Sequence, residues 1–220
     1  MSIVNGYCTL EAMRDEIGSY GVSDTSDDAK IERSVEAASR QIDGHCGWRF
    51  WQDGSVQARE FYAEDYCHLN LLDPLEDGDP GDGISTTTGL IVKVDLDGDG
   101  TFETTLTSGT DFLLHPRNAA TRTPIWPYTS LGILSDSGSY FPSGLGGRPG
   151  VQITAKYGWP AVPDDVEKAC IIQAEMLFKS KDAPLGVAGF DQMGSAMRVR
   201  SKLHPMAEAL LGPYRKPAIG

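Results

Sequence analysis

Asp95-Leu96-Asp97-Gly98-Asp99-Gly100 is the stretch of this 220-residue chain whose residue types and spacing most directly suggest chemistry. Carboxylates at alternating positions, followed by a glycine that permits a sharp turn, match the first six positions of a calcium loop, D-x-D-x-D-G. Asp95, Asp97 and Asp99 are the candidate ligands, and Glu103, at the ninth position, could add an oxygen. Leu106 occupies position twelve, where such a loop carries a bidentate Glu, and the flanks read as strands rather than helices. The plainer reading is an acidic hairpin tip that binds nothing. Apart from this candidate Ca²⁺ loop, no cofactor is expected.

Two adjacent pairs, His45-Cys46 and Cys67-His68, supply zinc-ligand types. Neighbouring residues on a helix or strand point in different directions, so such pairs converge poorly on one ion. Reduced, mostly buried thiols are the expectation for the four widely spaced cysteines, rather than a disulfide framework. The chain has no G-x-S-x-G, no phosphate loop, no G-x-G-x-x-G and no H-E-x-x-H. No enzyme is expected. The remaining enzymatic option, a dispersed carboxylate site, needs a buried acid pair.

The charge is unevenly spread. The whole chain carries a net −12. From Ser195 to Gly220, five basic residues (Arg198, Arg200, Lys202, Arg215, Lys216) face only Glu208, a local net of +4 that leaves −16 on the rest. Such asymmetry suits a docking surface for an acidic partner, with an ordinary solvated tail as the alternative. An acidic chain is not a typical phosphate binder, which carries a large basic patch. No run approaches the ~20 apolar residues of a membrane span, and Met1 to Thr9 has no basic residue and no apolar h-region.

The elements that would position these residues fall into three stretches: 1–58, 59–157 and 158–220. In the first, a short helix over Tyr7–Ile17 with Thr9 as N-cap precedes a second, capped by Ser26. Its apolar residues Ile31, Val35, Ala38 and Ile42 form one stripe, and Gly44 and Gly47 end it. From about Arg59 the grammar turns to short β-branched and aromatic runs. Ala58–Tyr62, Leu90–Leu96, Thr101–Leu106, Phe112–Leu114 and Val151–Tyr157 are the expected strands. Asp97-Gly98-Asp99-Gly100 signals a tight hairpin turn. Asp73–Gly83, with five acids and no base, reads as a solvated loop, and Arg117–Pro149 as a loose segment, functional or ordered by a partner. Helical grammar returns at Pro163, with Asp164 as cap and Val166, Cys170, Gln173 or Ala174, and Leu177 or Phe178 on the buried face. A last helix starts at Pro205, with Leu203, Ala207, Leu210 and Tyr214 as its stripe. The expected fold is α+β: a small four-helix bundle formed by the N- and C-terminal helices, with an inserted β-rich module.

Three stretches carry a resemblance. The opening runs from Leu10-Glu11-Ala12 through Asp27-Asp28-Ala29-Lys30-Ile31-Glu32 to a helix that closes on Cys46-Gly47-Trp48-Arg49-Phe50. Next comes Val151-Gln152-Ile153-Thr154-Ala155-Lys156-Tyr157-Gly158-Trp159, followed by Val162-Pro163 and Val166. The ending has Arg198-Val199, Leu210-Leu211 and Pro213-Tyr214-Arg215. In this order they resemble the head–tail connector (adaptor) proteins of long-tailed bacteriophages, over roughly the first fifty and last seventy residues. The resemblance implies a structural virion protein of the neck, assembled in the host cytoplasm into a ring, commonly a dodecamer, beneath the portal. Its partners would be the portal protein, a stopper or tail-completion protein, and further copies of itself. Double-stranded viral DNA would pass through the lumen without specific binding, and no membrane is involved. Carried onto this chain, the portal-docking residues are Arg198, Arg200, Lys202, Tyr214, Arg215 and Lys216. The loop Ala183–Ala196 would lie near the lumen or a neighbouring subunit. The competing readings are a calcium-dependent binding module and another neck or tail-completion protein.

Overall fold

The computed structural model describes residues 3–18, 25–63, 65–72, 82–143, 147–180, 187–190, 196–198 and 203–216. The helices are α1 (Leu10–Gly18), α2 (Asp28–Cys46), α3 (Asp164–Ser180) and α4 (Pro205–Leu211). The strands are β1 (Gln57–Phe61), β2 (His68–Asn70), β3 (Ile84–Val94), β4 (Thr104–Leu106), β5 (Phe112–His115), β6 (Ser130–Ile133), β7 (Val151–Tyr157), β8 (Val187–Phe190) and β9 (Ala196–Arg198). The chain divides into two compact units, Met1–Gly47 with Val162–Gly220, and Trp48–Ala161.

The first unit holds the helices and the antiparallel β8–β9 ribbon. Thr9 caps α1, its Oγ1 accepting from the Ala12 amide at 3.0 Å. Ile31, Val35, Ala38 and Ile42 of α2 are all buried, as their spacing predicts. The helix runs through Gly44 and stops at Gly47, whose φ of 72° lets its amide turn back onto the Asp43 carbonyl. A 3₁₀ turn over Thr25–Asp27 leads into α2. In α3, three acids occupy the first turn and Lys179 the last, the arrangement the helix dipole favours. Pro205 starts α4, with the His204 side chain accepting from the Met206 amide.

The second unit is built on two antiparallel sheets, ordered β1-β7-β3-β4 and β2-β6-β5. β7 alternates buried and half-buried residues, so Val151, Ile153, Ala155 and Tyr157 face inward. They join Leu69, Val92, Phe112, Leu131 and Phe141 in one core cluster. β3 shifts register against β7 between Ile84 and Ile91, a bulge that bends the strand. Gly158 follows β7 at φ 97°, and a Cβ there would run into the Trp51 carbonyl, so only glycine fits.

This architecture overturns the expected four-helix bundle with an inserted module. The protein is a mixed α/β chain with, among the described residues, four helices and two antiparallel sheets of seven strands, besides the β8–β9 ribbon. The reason is length. α1 and α4 have nine and seven residues, about two turns each, too short for the stacked core layers of a bundle. The sheets instead carry a continuous core of their own.

The segments expected to be loose contribute buried residues to the second unit where they are described. Arg117–Pro149 supplies β6 and the buried Ala119, Leu131 and Phe141, although residues 144–146 lie outside the described residues. Of the expected solvated loop Asp73–Gly83, only Asp82 and Gly83 are described. Asp82 is not solvated: it is 3% exposed.

Candidate functional site

The acidic loop joins β3 to β4. Val94 pairs with Thr104, which leaves residues 95–103 as the connection, far longer than the tight turn expected from the Asp-Gly repeats. The reason is Asp95. Its carboxylate turns inward, fully buried, and gathers the chain around it, Oδ1 accepting from the Gly98 amide at 2.7 Å and Oδ2 from the Gly100 amide at 2.8 Å. Asp97 accepts from the Asp99 amide at 3.2 Å and Asp99 from the Thr101 amide at 2.7 Å, so each aspartate shapes the step that follows it. Gly98 and Gly100 supply the positive φ angles, 76° and 95°. The Asp95 amide donates to the Gly150 carbonyl and Arg148 donates to the Gly98 carbonyl at 3.1 Å, tying the loop to the approach to β7.

Burial pushes the Asp95 carboxyl up, but hydrogen bonds from the Gly100 and Gly98 amides, the Asp97 side chain and the Asp99 amide jointly hold the group below the usual carboxylate range. Asp95, Asp97, Asp99 and Glu103 bring carboxylate oxygens to within 4.8 Å of one another. This all-oxygen set is one a hard cation such as Ca²⁺ accepts. Leu106, at position twelve, is a buried core residue on β4 and takes no part.

The expected portal-docking residues are not equivalent. Tyr214 is 4% exposed, and its hydroxyl donates to Asp165 Oδ2 of α3 at 3.1 Å. Burial, then Asp165, pushes its pKa up to about 12. Lys216 donates its amide to the Cys46 carbonyl at the end of α2, and its aliphatic stem lies against Gly47. Arg215, between them, is exposed. Tyr214 and Lys216 therefore tie the chain to α3 and α2, while Arg215 is exposed to solvent. Arg198 lies on β9, and Arg200 and Lys202 lie outside the described residues. Ala183–Gly186 and Asp191–Ser195 of the expected lumenal loop also lie outside them, the rest of that loop forming β8 and the start of β9.

Sequence reading missed a four-residue charge network in the second unit. Arg49 pairs with Asp53 at 2.8 Å and with Asp82. Arg59 lies 3.7 Å from Asp82 and 3.9 Å from Asp53. Each guanidinium also stacks 4.1 Å from an aromatic ring centre, Arg49 on Trp51 and Arg59 on Tyr157. Asp53 further accepts from the Tyr157 amide and donates its own amide to the Tyr157 carbonyl. Two cations and two carboxylates balance, and the cluster positions the 48–53 segment against β7. The signal was Arg49 within the Trp48-Arg49-Phe50 corner, an arginine among large apolar residues. Its partner Asp82 was hidden in a run of acids.

No protein-family description and no curated protein sequence matches this chain. Solved structures do match in fold. A chain in the neck of an empty gene transfer agent (GTA) particle, computed with C6 symmetry, superposes with a TM-score of 0.54 at 17% identity, covering all of this chain and 95% of that one. A chain in the neck of the native GTA particle, computed with C12 symmetry, gives 0.53 at 16%, covering all of this chain and 94% of that one. A chain in the virion of the native particle gives 0.52 at 18%, covering all of this chain and 95% of that one. At these identities the likeness is one of fold, and it spans the full length of the chain.

Proposed function

We propose that this chain is a structural subunit of a phage-like neck, a head–tail adaptor whose copies form a ring beneath the portal. The observation that carries the reading is the full-length likeness in fold to chains of GTA necks with C6 and C12 symmetry. The three stretches that resemble phage adaptors support it independently. A closed ring repeats one heterologous contact until it meets itself, and twelve copies is the number we favour. The net charge of −12 per copy suits a channel through which DNA passes without sticking, since like charge repels the phosphates within about 8–10 Å at physiological salt. The exposed Arg215, with Arg198, Arg200 and Lys202, is the set we assign to the portal, and the opposite end of the ring receives the stopper or tail-completion protein. The role is mechanical, with assembly in the host cytoplasm and residence in the virion neck.

Electron microscopy of the neck of particles carrying this chain tests the proposal. A ring of copies directly below the portal, with the basic segment against it, is expected. Neck density fully accounted for by other chains would overturn it.

A second reading is favoured by the convergence of Asp95, Asp97, Asp99 and Glu103: the loop takes Ca²⁺ and the ion stiffens the β3–β4 hairpin. Calorimetric titration with CaCl₂ should then give one binding event, lost in Asp97→Asn. Absence of binding heat at millimolar Ca²⁺ rejects this reading and leaves the adaptor proposal untouched.

A further inference from the structure

Three of the four cysteines are buried, and two of these meet. Cys8 precedes α1, Cys170 sits in the middle of α3, and their sulfurs lie 3.5 Å apart although 162 positions separate them in sequence. The contact is made by a strap, Ile3–Thr9, that runs along α2. The Val4 amide donates to Glu36, the Tyr7 amide to Ser39 Oγ at 3.1 Å, and Arg40 donates to the Asn5 carbonyl at 2.9 Å. The Tyr7 hydroxyl bonds Asp43. Cys170 Sγ is also 3.5 Å from Ser39 Oγ, whose hydroxyl donates to the Val35 carbonyl at 2.8 Å.

We infer that Cys8 and Cys170 are a cross-linking site: under a small-molecule disulfide oxidant they form an intramolecular disulfide that locks the Ile3–Thr9 strap onto α3. Two features of the geometry support it. The sulfurs touch, so modest side-chain rotation closes the bond. The outer bonds of the strap, from the Val4 amide to Glu36 and from Arg40 to the Asn5 carbonyl, are exposed, while Tyr7 and Cys8 are buried, so Cys8 becomes reachable when the strap opens locally without global unfolding. Opening exposes Cys8, which attacks the oxidant's S–S bond to give a mixed disulfide and release one small thiol. When the strap returns, Cys170 attacks the Cys8 sulfur and expels the second small thiol. Each protein thiol gives up one proton and one electron, and the oxidant takes up both pairs. Cys170 is suited to the second step. Its hydrogen bond from Cys8, then those from Ser39 and the Tyr7 and Cys8 amides, hold its thiol below the ordinary range despite burial. This inference rests on the first unit alone and stands whether or not the chain is an adaptor. If it is one, the change from a reducing cytoplasm to an oxidising exterior on particle release would supply the oxidant.

The test incubates the whole chain with oxidised glutathione and maps it by non-reducing digestion and mass spectrometry. The expected product has lost two hydrogens and contains a Cys8 peptide linked to a Cys170 peptide. Its Tm rises by about 10 °C, as expected for closing so long a loop, and reductant reverses the rise. Cys67→Ser keeps the link and Cys8→Ser abolishes it. Recovery of Cys8 and Cys170 as free thiols, with glutathione on Cys67 alone, overturns the inference, and so does a linked product with unchanged Tm. The wild-type map decides even if Cys8→Ser fails to fold.

Discussion

The acidic loop 95–103 and the basic segment 214–216 are both short charged stretches, yet they use charge in opposite ways. In the loop one residue, Asp95, is buried and organises the turn, while Asp97, Asp99 and Glu103 remain exposed. In the basic segment Tyr214 is buried and Lys216 half-buried, both tied to the helices, while Arg215 is exposed. Formal charge therefore says little about which groups meet a partner. What decides is whether backbone donors or a counter-ion already satisfy the group, because a satisfied buried charge is held in place and an exposed one is available.

The largest effect should come from the Arg49 network, where buried charge is purely structural. Arg49→Ala removes the nearer of the two guanidinium groups from Asp82, which is 2% exposed at its side chain, and should cost about 3–5 kcal/mol, read as a lower midpoint in urea denaturation. A change under 1 kcal/mol would mean that Arg59 alone can hold Asp82. Next comes Asp95→Asn. Because the folded-state pKa of Asp95 lies below its ordinary 3.8, the stability it contributes is present above that value and lost as pH falls through the folded value. Asp95→Asn should therefore be less stable at neutral pH, and the gap from the parent should narrow in acid, below about pH 4. A gap independent of pH would assign the effect to packing rather than to charge.

Tyr214→Phe should cost about 1 kcal/mol, and the effect has its own pH signature. The folded pKa is raised from 10.0 to about 12, so the contribution is complete below pH 10 and disappears as pH rises towards 12. Alkaline unfolding followed by circular dichroism should show the parent losing stability in that window more steeply than Tyr214→Phe. The smallest effects belong to the exposed charges. Asp99→Asn and Arg215→Ala should each stay within about 0.5 kcal/mol of the parent. Arg215→Ala should nonetheless weaken the salt-sensitive binding of purified portal rings several-fold, and unchanged binding would remove Arg215 from the docking surface.

Much of the local structure was legible because it depends on periodicity. The stripe Ile31, Val35, Ala38 and Ile42 marks α2, the alternation of Val151–Tyr157 marks β7, and Pro205 marks the start of α4. β6 escaped because Ser130–Ile133 is short, contains Gly132 and acquires its strand character from pairing with β2 and β5. Asp82 escaped because a carboxylate in an acidic run looks solvated until a distant arginine reaches it. The four helices suggested a bundle because an apolar stripe shows that a helix buries a face, and not what it buries it against.

The sequence by itself determined the helical stripes, the strand-rich middle, the calcium-like spacing of Asp95, Asp97 and Asp99, and the uneven distribution of charge. Those follow from side-chain type and spacing along one stretch of chain. Tertiary structure alone decided that Cys8 would meet Cys170, that Asp82 would be buried beside Arg49, that Tyr214 would be buried against Asp165, and that β1–β7 would form two sheets with a common core. Each joins groups far apart in sequence, and their burial and pairing energies exist only once the chain has closed the distance between them.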